Sequence, residues 1–294
     1  MLKFTESRVI TPTVTLGHPH ALPRAPDRAL VVFGTLPTSP AQASWWLRSG
    51  LLTPRTNLSD HLPIISPALS FGRVLSWNIL TWCRYDRHRL NNGFGFNEDE
   101  REYRGRLSAI GARLARLSAP PVSVVALQEV PIRQPTHLAP LLRALDPETW
   151  WVSTRACDGH SFGMLLAARR AVFSSIKAVV EDQRSPQARR IQEIDLVRLD
   201  RPALRVGNVH LHWGRSAVAE LEARVQSPFS LLAGDFNRDP SDPLRQLDRL
   251  SHLHGLALVF PDRPTSISFH RDAEPAVATI DGFVLGSALC DHSQ

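Results

Sequence analysis

The stretch Arg73-Val-Leu-Ser-Trp-Asn-Ile-Leu80 has the composition of a buried strand, with polar Asn78 near its end. A short run of apolar and aromatic residues of this length, bounded by Gly72, predicts a strand. Polar residues recur at the ends of four later apolar runs. They are Gln128-Glu129 after Val122–Leu127, His210 within 204–213, Asp235 and Asn237 after 229–233, and Asp281 within 278–285.

Burial of a single carboxylate without a partner is costly, because the charged form loses its hydration. The same cost at several strand ends is reduced if these side chains meet in one place and share a cation. The pattern therefore predicts one site that is built from residues far apart in the sequence.

Strands alternate with helices along the chain. We predict strands at residues 73–80, 122–127, 163–168, 191–199, 204–213, 229–233 and 278–285, and helices at 98–117 and 216–226. In the first helix, Tyr103, Leu107, Ile110, Leu114 and Leu117 recur at steps of three and four, which places them on one face. Many strands with helices between them predict an α/β (α+β) fold in which two packed sheets are flanked by helices.

Residues 1–55 differ in composition from the rest, since seven prolines lie between Pro12 and Pro54. We interpret 1–55 as an irregular arm, with a strand at Ala29–Phe33 and a short helix at Ser44–Gly50, and 56–294 as the main domain. The first 17 residues lack a continuous apolar core and no membrane-length apolar run occurs, so we expect a cytoplasmic protein without a membrane span. The sequence does not indicate an oligomeric state.

The chain has a net charge of +6, and only two of its 34 basic residues are lysines. Arginine binds phosphate through two parallel hydrogen bonds, so this composition favours a polyanionic partner, although a genomic arginine bias would give the same count. The three cysteines are widely spaced, which argues against a disulfide framework or a zinc site.

The ordered set Trp-Asn-Ile-Leu, Leu-Gln-Glu-Val, Asn-Val-His-Leu, Gly-Asp-Phe-Asn and Ile-Asp resembles the endonuclease/exonuclease/phosphatase superfamily, the DNase I-like phosphoesterases. The resemblance covers residues 59–285 and implies a Mg²⁺ or Mn²⁺ site, because oxygen ligands suit a hard cation. It implies that Glu129 binds the metal, with Asn78 beside it.

The same resemblance implies roles for the remaining polar residues. Asp235 would orient or deprotonate the attacking water, Asn237 and His210 would contact the phosphate, and Asp281 would orient a final histidine. His212 lies on the same side of its strand as His210, but His210 occupies the position before Leu that the family pattern requires.

The final histidine poses a problem of order, because the family's Ser-Asp-His-x-Pro motif follows the Ile-Asp strand. Here Ser59-Asp60-His61-Leu62-Pro63 carries the full motif near the other end of the chain, whereas Asp291-His292 carries only part of it. We predict a circular permutation, in which His61 pairs with Asp281 and Asp60 helps the metal site. This is feasible where the ends of a domain lie close together. The alternative is that His292 fills the role.

The loop after Asn78 mixes arginine with aromatic residues, including Trp82, Arg84 and Tyr85, which suits phosphates and stacked bases of single-stranded nucleic acid. A solvated loop with core aromatics is the alternative. Arg184, Arg189 and Arg190 are interpreted as a solvated loop. We therefore expect a Mg²⁺-dependent phosphodiesterase with nucleic acid as substrate. A lipid or inositol phosphate hydrolase and a non-catalytic binding module remain alternatives.

Overall fold

The computed structural model describes residues 9–10, 30–32, 34, 36–43, 58–82, 85–86, 89–90, 98–118, 122–157, 160–179, 190–199, 201–211, 221, 230–237, 256–268 and 276–290. Two large sheets face each other, which confirms the predicted two-sheet α/β fold. In the first sheet the strand order is β1-β2-β3-β4-β7-β9-β8, and in the second it is β10-β11-β12-β13-β17-β14.

The strands of the first sheet and of two short hairpins have the following bounds. They are β1 (Val9–Ile10), β2 (Leu30–Val32), β3 (Ile64–Ile65), β4 (Arg73–Asn78), β5 (Tyr85–Asp86), β6 (Arg89–Leu90), β7 (Val122–Val130), β8 (Trp150–Ala156), β9 (Gly163–Arg169), β15 (Ser266–Ser268) and β16 (Ala276–Ala278). The second sheet contains β10 (Ser175–Ala178), β11 (Ile191–Val197), β12 (Leu204–His210), β13 (Ser230–Asp235), β14 (Ala257–Val259) and β17 (Asp281–Leu285). The helices with described bounds are α1 (Glu100–Leu117), α2 (Pro135–Ala144) and α3 (Ser287–Cys290).

Apolar side chains of both sheets form the central core. Along β7, Val124 and Ala126 point into the space between the sheets, whereas Val125 and Leu127 point to the outer face. Both sets are fully buried, which explains why this strand reads as a continuous apolar run rather than an alternating one.

Helix α1 covers the outer face of the first sheet. Its N-terminus is closed by a capping box, in which the Asp99 side chain accepts from the Glu102 amide at 2.7 Å and the Glu102 carboxylate accepts from the Asp99 amide at 3.1 Å. The five apolar residues predicted to share one face are all buried against the sheet. The helix period was therefore identified correctly from the sequence.

Two parallel strand pairs, one in each sheet, bring their carboxyl ends to the same edge. Asn78 at the end of β4 lies opposite Gln128 of β7, and His210 at the end of β12 lies opposite Asp235 of β13. Asp235 in turn lies opposite Asp281 at the start of the antiparallel strand β17. Because the two sheets face each other, this topology collects the predicted polar residues at one end of the sandwich.

A buried amide pair joins the two sheets just below that end. The Gln128 Nε2 atom donates to Oδ1 of Asn208 at 2.7 Å, and Nδ2 of Asn208 donates to the carbonyl oxygens of Leu127 and Leu165 at 2.9 and 3.0 Å. The two side chains are completely buried. They tie β7 and β9 of one sheet to β12 of the other, and so hold the two halves of the polar end in register.

Some predicted elements differ from the structure or lie outside the described residues. The strand predicted at 278–285 is divided into β16 and β17, because Phe236 N–H bonds to the carbonyl of Ile280 between them. The strand predicted at Ala29–Phe33 is present as β2. Of the helix predicted at 216–226 only Leu221 is described, and the Ser44–Gly50 helix falls outside the described residues.

Within the part of the chain that the structure describes, no helix combines the length and the apolar character that crossing a bilayer requires.

Candidate active site

Glu129 occupies a bulge near the end of β7. The pairing of β7 with β9 shifts register between Leu127 and Val130, and Glu129 adopts a left-handed backbone with φ of +58°. This backbone redirects its side chain toward the end of the sandwich. The carboxylate accepts hydrogen bonds from the Thr81 main-chain N–H at 2.8 Å and from the Asn78 amide at 3.2 Å.

The Asn78 side chain links one carboxylate of each sheet. Its Nδ2 atom lies 3.2 Å from Oε1 of Glu129 and 3.1 Å from Oδ2 of Asp235. Its Oδ1 atom accepts from the main-chain N–H of Leu80 at 3.1 Å, which fixes the orientation of the amide. Glu129 and Asp235 therefore share one cleft.

His61 lies on the other side of Asp235. Its Nδ1 atom donates to the Asp281 carboxylate, with distances of 2.9 and 3.1 Å to the two oxygens. Its Nε2 atom lies 3.2 Å from the Ser266 hydroxyl and 3.8 Å from Oδ2 of Asp235. The imidazole is 6% exposed, so these contacts define its orientation.

Main-chain hydrogen bonds hold the segment that carries His61. Leu62 N–H bonds to the carbonyl of Thr265 at 2.8 Å, and Ile267 N–H bonds to the carbonyl of Asp60 at 3.0 Å. The Trp77 indole donates to the carbonyl of His61 at 3.1 Å. The segment is thus fixed to both β15 and β4.

Burial and its neighbours give the carboxylates and His61 different protonation behaviour. Burial alone lowers the pKa of His61, but Asp281, Asp235 and Asp60 outweigh it and hold the pKa well above 6.5. Burial alone raises the pKa of Glu129, but His210 and the amides of Thr81 and Asn78 outweigh it, so that the pKa lies below 4.5. Burial, reinforced by Asp281, raises the pKa of Asp235 to about 7.

His210 and Arg190 form the third side of the cleft. The Nε2 atom of His210 lies 3.5 Å from Oε1 of Glu129 and 3.7 Å from Oδ2 of Asp235, and its Nδ1 atom lies 3.4 Å from Nη1 of Arg190. Arg190 also contacts Nε2 of His160 at 2.7 Å and lies over the Phe162 ring. Because arginine only donates, the proton of a neutral His210 lies on Nε2 and faces the carboxylates.

The structure corrects the interpretation of Arg190 as part of a solvated loop. Its side chain is buried and 7% exposed, because it lies immediately before β11 and faces His210 rather than the solvent. Arg184 and Arg189 lie outside the described residues. The signal in the sequence was the position of Arg190 directly before the apolar run 191–199.

Asn237 follows Asp235 in a tight turn with φ of +49°. Its main-chain N–H donates to Oδ1 of Asp235 at 2.8 Å, and its side-chain amide donates to the carbonyl of Leu211 at 2.8 Å. In this conformation Asn237 orients the Asp235 carboxylate and joins β13 to the end of β12.

With this geometry in place, comparison with known proteins identifies the family. The model of the Endonuclease/Exonuclease/phosphatase family matches residues 75–292. The chain belongs to the Endonuclease/Exonuclease/phosphatase family. Members of this family are hydrolases that act on phosphoester bonds, so the cleft is that of a hydrolase. The matched segment contains Asn78, Glu129, His210, Asp235 and Asp281, and it begins after His61.

Solved structures show the same fold. A crystal structure of ANGEL2, a 2′,3′-cyclic phosphatase, is 16% identical with a TM-score of 0.52, over 73% of this chain and 83% of that one. The endonuclease domain of TRAS1, a telomere-specific non-LTR retrotransposon, is 15% identical with a TM-score of 0.42, over 72% and 83%. A family protein from Leptotrichia buccalis is 14% identical with a TM-score of 0.46, over 72% and 86%. No curated protein sequence matches the chain.

The residues of this family member fit a divalent cation. Carboxylate and amide oxygens are the ligands of hard cations, and Glu129 is charged at neutral pH and partly open to the cleft. Ligand atoms of His61, Asp235 and Asp281 also lie within 4.8 Å of one another. However, His61 and Asp281 are bonded to each other, so we assign the cation to the Glu129 side.

The other residues expected in the site have different placements. Asp60 is buried beside Ser59, whose hydroxyl lies 3.4 Å from its Oδ1 atom. The Trp82 indole stacks on Tyr103 of α1 and donates to the carbonyl of Glu98, so its described contacts are packing contacts on the outer face of the sheet. Tyr85 is described only as part of β5. The positions of Arg84, His212 and His292 lie outside the described residues.

Proposed function

We propose that this family member is a phosphodiesterase that requires Mg²⁺ or Mn²⁺ and cleaves nucleic acid. The observation that carries the proposal is the Asn78 amide bonded to both Glu129 and Asp235, with the His61–Asp281 pair 3.8 Å from the same Asp235 oxygen. This arrangement places an acidic cation ligand, a base and an imidazole around one point. Those are the groups that hydrolysis of a phosphodiester requires.

Glu129, with Asn78 and Asp60 beside it, would hold the cation. When bound, a divalent cation supplies positive charge that stabilises the negative charge developing on the phosphate oxygens. The Thr81 amide and the Asn78 amide fix the Glu129 carboxylate in advance, so the ligand needs little reorganisation.

Asp235 and His61 move the protons of the reaction. Asp235 accepts a proton from the attacking water as the water oxygen bonds to phosphorus. The bond from phosphorus to the leaving oxygen breaks, and His61 donates a proton to that oxygen. The distance of 3.8 Å between Asp235 Oδ2 and His61 Nε2 then allows Asp235 to return the proton to His61, which restores both groups.

Two further features support a nucleic-acid substrate. Arg190 and the Nε2 proton of His210 present donors for phosphate oxygens, and the Phe162 ring beside them offers an apolar surface for a base. The arginine-rich composition supports the same class of substrate. In this arrangement Asn237 acts on Asp235 as a positioning residue.

The test is hydrolysis of single-stranded DNA and RNA oligonucleotides and of inositol phosphates, each with Mg²⁺ and with a chelator. We expect oligonucleotide cleavage that requires the cation and decreases steeply with salt, since phosphate contacts release counterions. Glu129→Gln should abolish cleavage, whereas Glu148→Gln, an exposed control, should not. Faster turnover of the inositol phosphates, or cleavage that persists in chelator, would contradict the proposal.

A further inference from the structure

Arg106 of helix α1 is a buried arginine directly behind the candidate site. Its side chain is 2% exposed, and it forms a two-point ion pair with the buried carboxylate of Glu98, at 2.6 Å from Nε and 2.9 Å from Nη2. The remaining guanidinium N–H groups donate to main-chain carbonyls rather than to water. The four acceptors are the carbonyl oxygens of Leu58, Ile79, Leu80 and Thr81, at 3.0, 2.9, 3.0 and 3.0 Å.

Two of these acceptors belong to residues in an unfavourable backbone conformation. Leu58 has a φ of +64° and Leu80 a φ of +58°, in the left-handed region that leucine rarely adopts. Such a conformation persists only where the surroundings hold it, and it occurs preferentially at functional sites. Here the shared contact that holds both is the Arg106 guanidinium.

The two leucines flank the segments that carry the site. Leu58 precedes Ser59-Asp60-His61, and Leu80 follows Asn78. The Leu80 N–H donates to Oδ1 of Asn78, and the Thr81 N–H donates to Oε2 of Glu129. Arg106 binds the carbonyls of Leu80 and Thr81, so it determines where their amides point.

We propose that Arg106, fixed by Glu98, is a positioning residue for the cation site. It holds the turns at Leu58 and Leu80 so that the Thr81 and Leu80 amides orient Glu129 and Asn78. The inference depends on the proposed function for the identity of the ligand, but its geometric part concerns the metal-free protein. A lysine cannot replace the arginine, because one ammonium group cannot reach both Glu98 and four carbonyls on the guanidinium plane.

The test compares Arg106→Lys with Arg104→Lys, which alters an exposed arginine of the same helix. The first measurement is hydrogen exchange of the peptide covering residues 79–82 in chelator. We expect exchange at Leu80 and Thr81 to be at least about tenfold faster in Arg106→Lys, with β12 and β13 unchanged, because only the local turn opens. Arg104→Lys should exchange like the wild type.

The second measurement is Mn²⁺ affinity, from the metal-induced shift in melting temperature. Loss of groups that orient a metal ligand typically weakens binding about 10–100-fold, and we expect a shift of that size for Arg106→Lys and none for Arg104→Lys. A purely structural role would lower the melting temperature equally with and without Mn²⁺. If Arg106→Lys does not fold, Glu98→Gln, which retains the arginine, should weaken Mn²⁺ binding less but in the same direction.

The outcomes separate this inference from the proposed function. Failure of the wild type to bind Mn²⁺ would overturn the proposed function, and the exchange of Leu80 and Thr81 would still decide the role of Arg106. A folded Arg106→Lys or Glu98→Gln with wild-type exchange and wild-type Mn²⁺ affinity would overturn the inference.

Discussion

The Nδ1 atom of His61 lies 2.9 Å from the Asp281 carboxylate, although 220 residues separate the two along the chain. Strand β3, which follows His61, pairs antiparallel with β4, and β17, which begins at Asp281, lies in the facing sheet. The imidazole therefore reaches the cleft from the N-terminal side of Asn78. This placement supports our proposal that the family's motif order is circularly permuted in this chain.

Replacing His61 tests that proposal. We expect His61→Ala to lower kcat on an oligonucleotide by about 10²–10⁴-fold, because it removes the proton donor. Asp281→Asn should have an effect in the same direction, since it no longer holds the imidazole charged. His292→Ala should leave kcat unchanged. Loss of turnover in His292→Ala alone would show that the permutation is wrong, and circular dichroism would establish that each variant is folded.

Gly234 has a backbone that side chains rarely adopt, in the turn that presents Asp235. Its φ is +150°, and a Cβ atom there would lie 2.0 Å from the carbonyl oxygen of Val209 on the adjacent parallel strand. We expect Gly234→Ala to lower the free energy of unfolding by at least about 2 kcal/mol, from strain and overpacking. Urea denaturation measures this change.

The matched control is Gly105→Ala in helix α1, where a Cβ atom would meet nothing within 4 Å. This substitution should raise stability by roughly 0.5–1 kcal/mol, because glycine loses more conformational freedom than alanine in a helix. Equal effects at the two positions would contradict the steric explanation for Gly234.

The amide pair between the sheets should be energetically coupled. Asn208→Leu leaves two buried carbonyls and the Gln128 amide without their partner, and we expect a loss of roughly 3 kcal/mol. In a double-mutant cycle, Gln128→Leu should cost less in the Asn208→Leu background than in the wild type, with a coupling of about 0.5–3 kcal/mol. Additive effects would indicate that the two amides act independently.

His210 should make the metal-free protein less stable in acid. Burial, with Arg190 nearby, lowers the pKa of His210 from 6.5 to about 3, although Glu129 opposes the shift. In the unfolded chain the pKa returns to about 6.5, so the unfolded state binds a proton that the folded state does not. The stabilising contribution is fully present above pH 6.5 and decreases as the pH falls toward 3.

We therefore expect the free energy of unfolding of the wild type to fall more between pH 7.5 and 5 than that of His210→Gln, by about 2 kcal/mol. Denaturation in chelator at the two pH values measures both proteins. Carboxyl groups contribute to both curves, so the difference reports the imidazole. Parallel pH dependence in the two proteins would show that His210 titrates normally when folded.

The sequence was informative where periodicity or strand ends carried the signal. The helix face from Tyr103 to Leu117 and the strands ending at Asn78 and Asp235 were predicted correctly, because burial imposes a regular pattern on them. The two-sheet architecture followed from the succession of these elements.

Other features depend on tertiary contacts that leave no local pattern. The burial of Arg190 results from its partners His160 and His210, and that of Arg106 from carbonyls on two distant segments. The packing of Trp82 on Tyr103 depends on the position of α1 relative to the loop. Asn208 resembles any polar residue in a strand until the facing sheet supplies Gln128.

Strand β3 is two residues long and is flanked on both sides, since Val31 and Val32 of β2 pair with Ile65 and Ile64 opposite β4. A shortened protein that begins at residue 56 would lose β2 and leave the main-chain groups of Ile64 and Ile65 as an open sheet edge. Such an edge readily recruits a strand from another molecule. Biochemical work on this enzyme is therefore best done with the proline-rich arm retained, so that self-association is not mistaken for a native assembly.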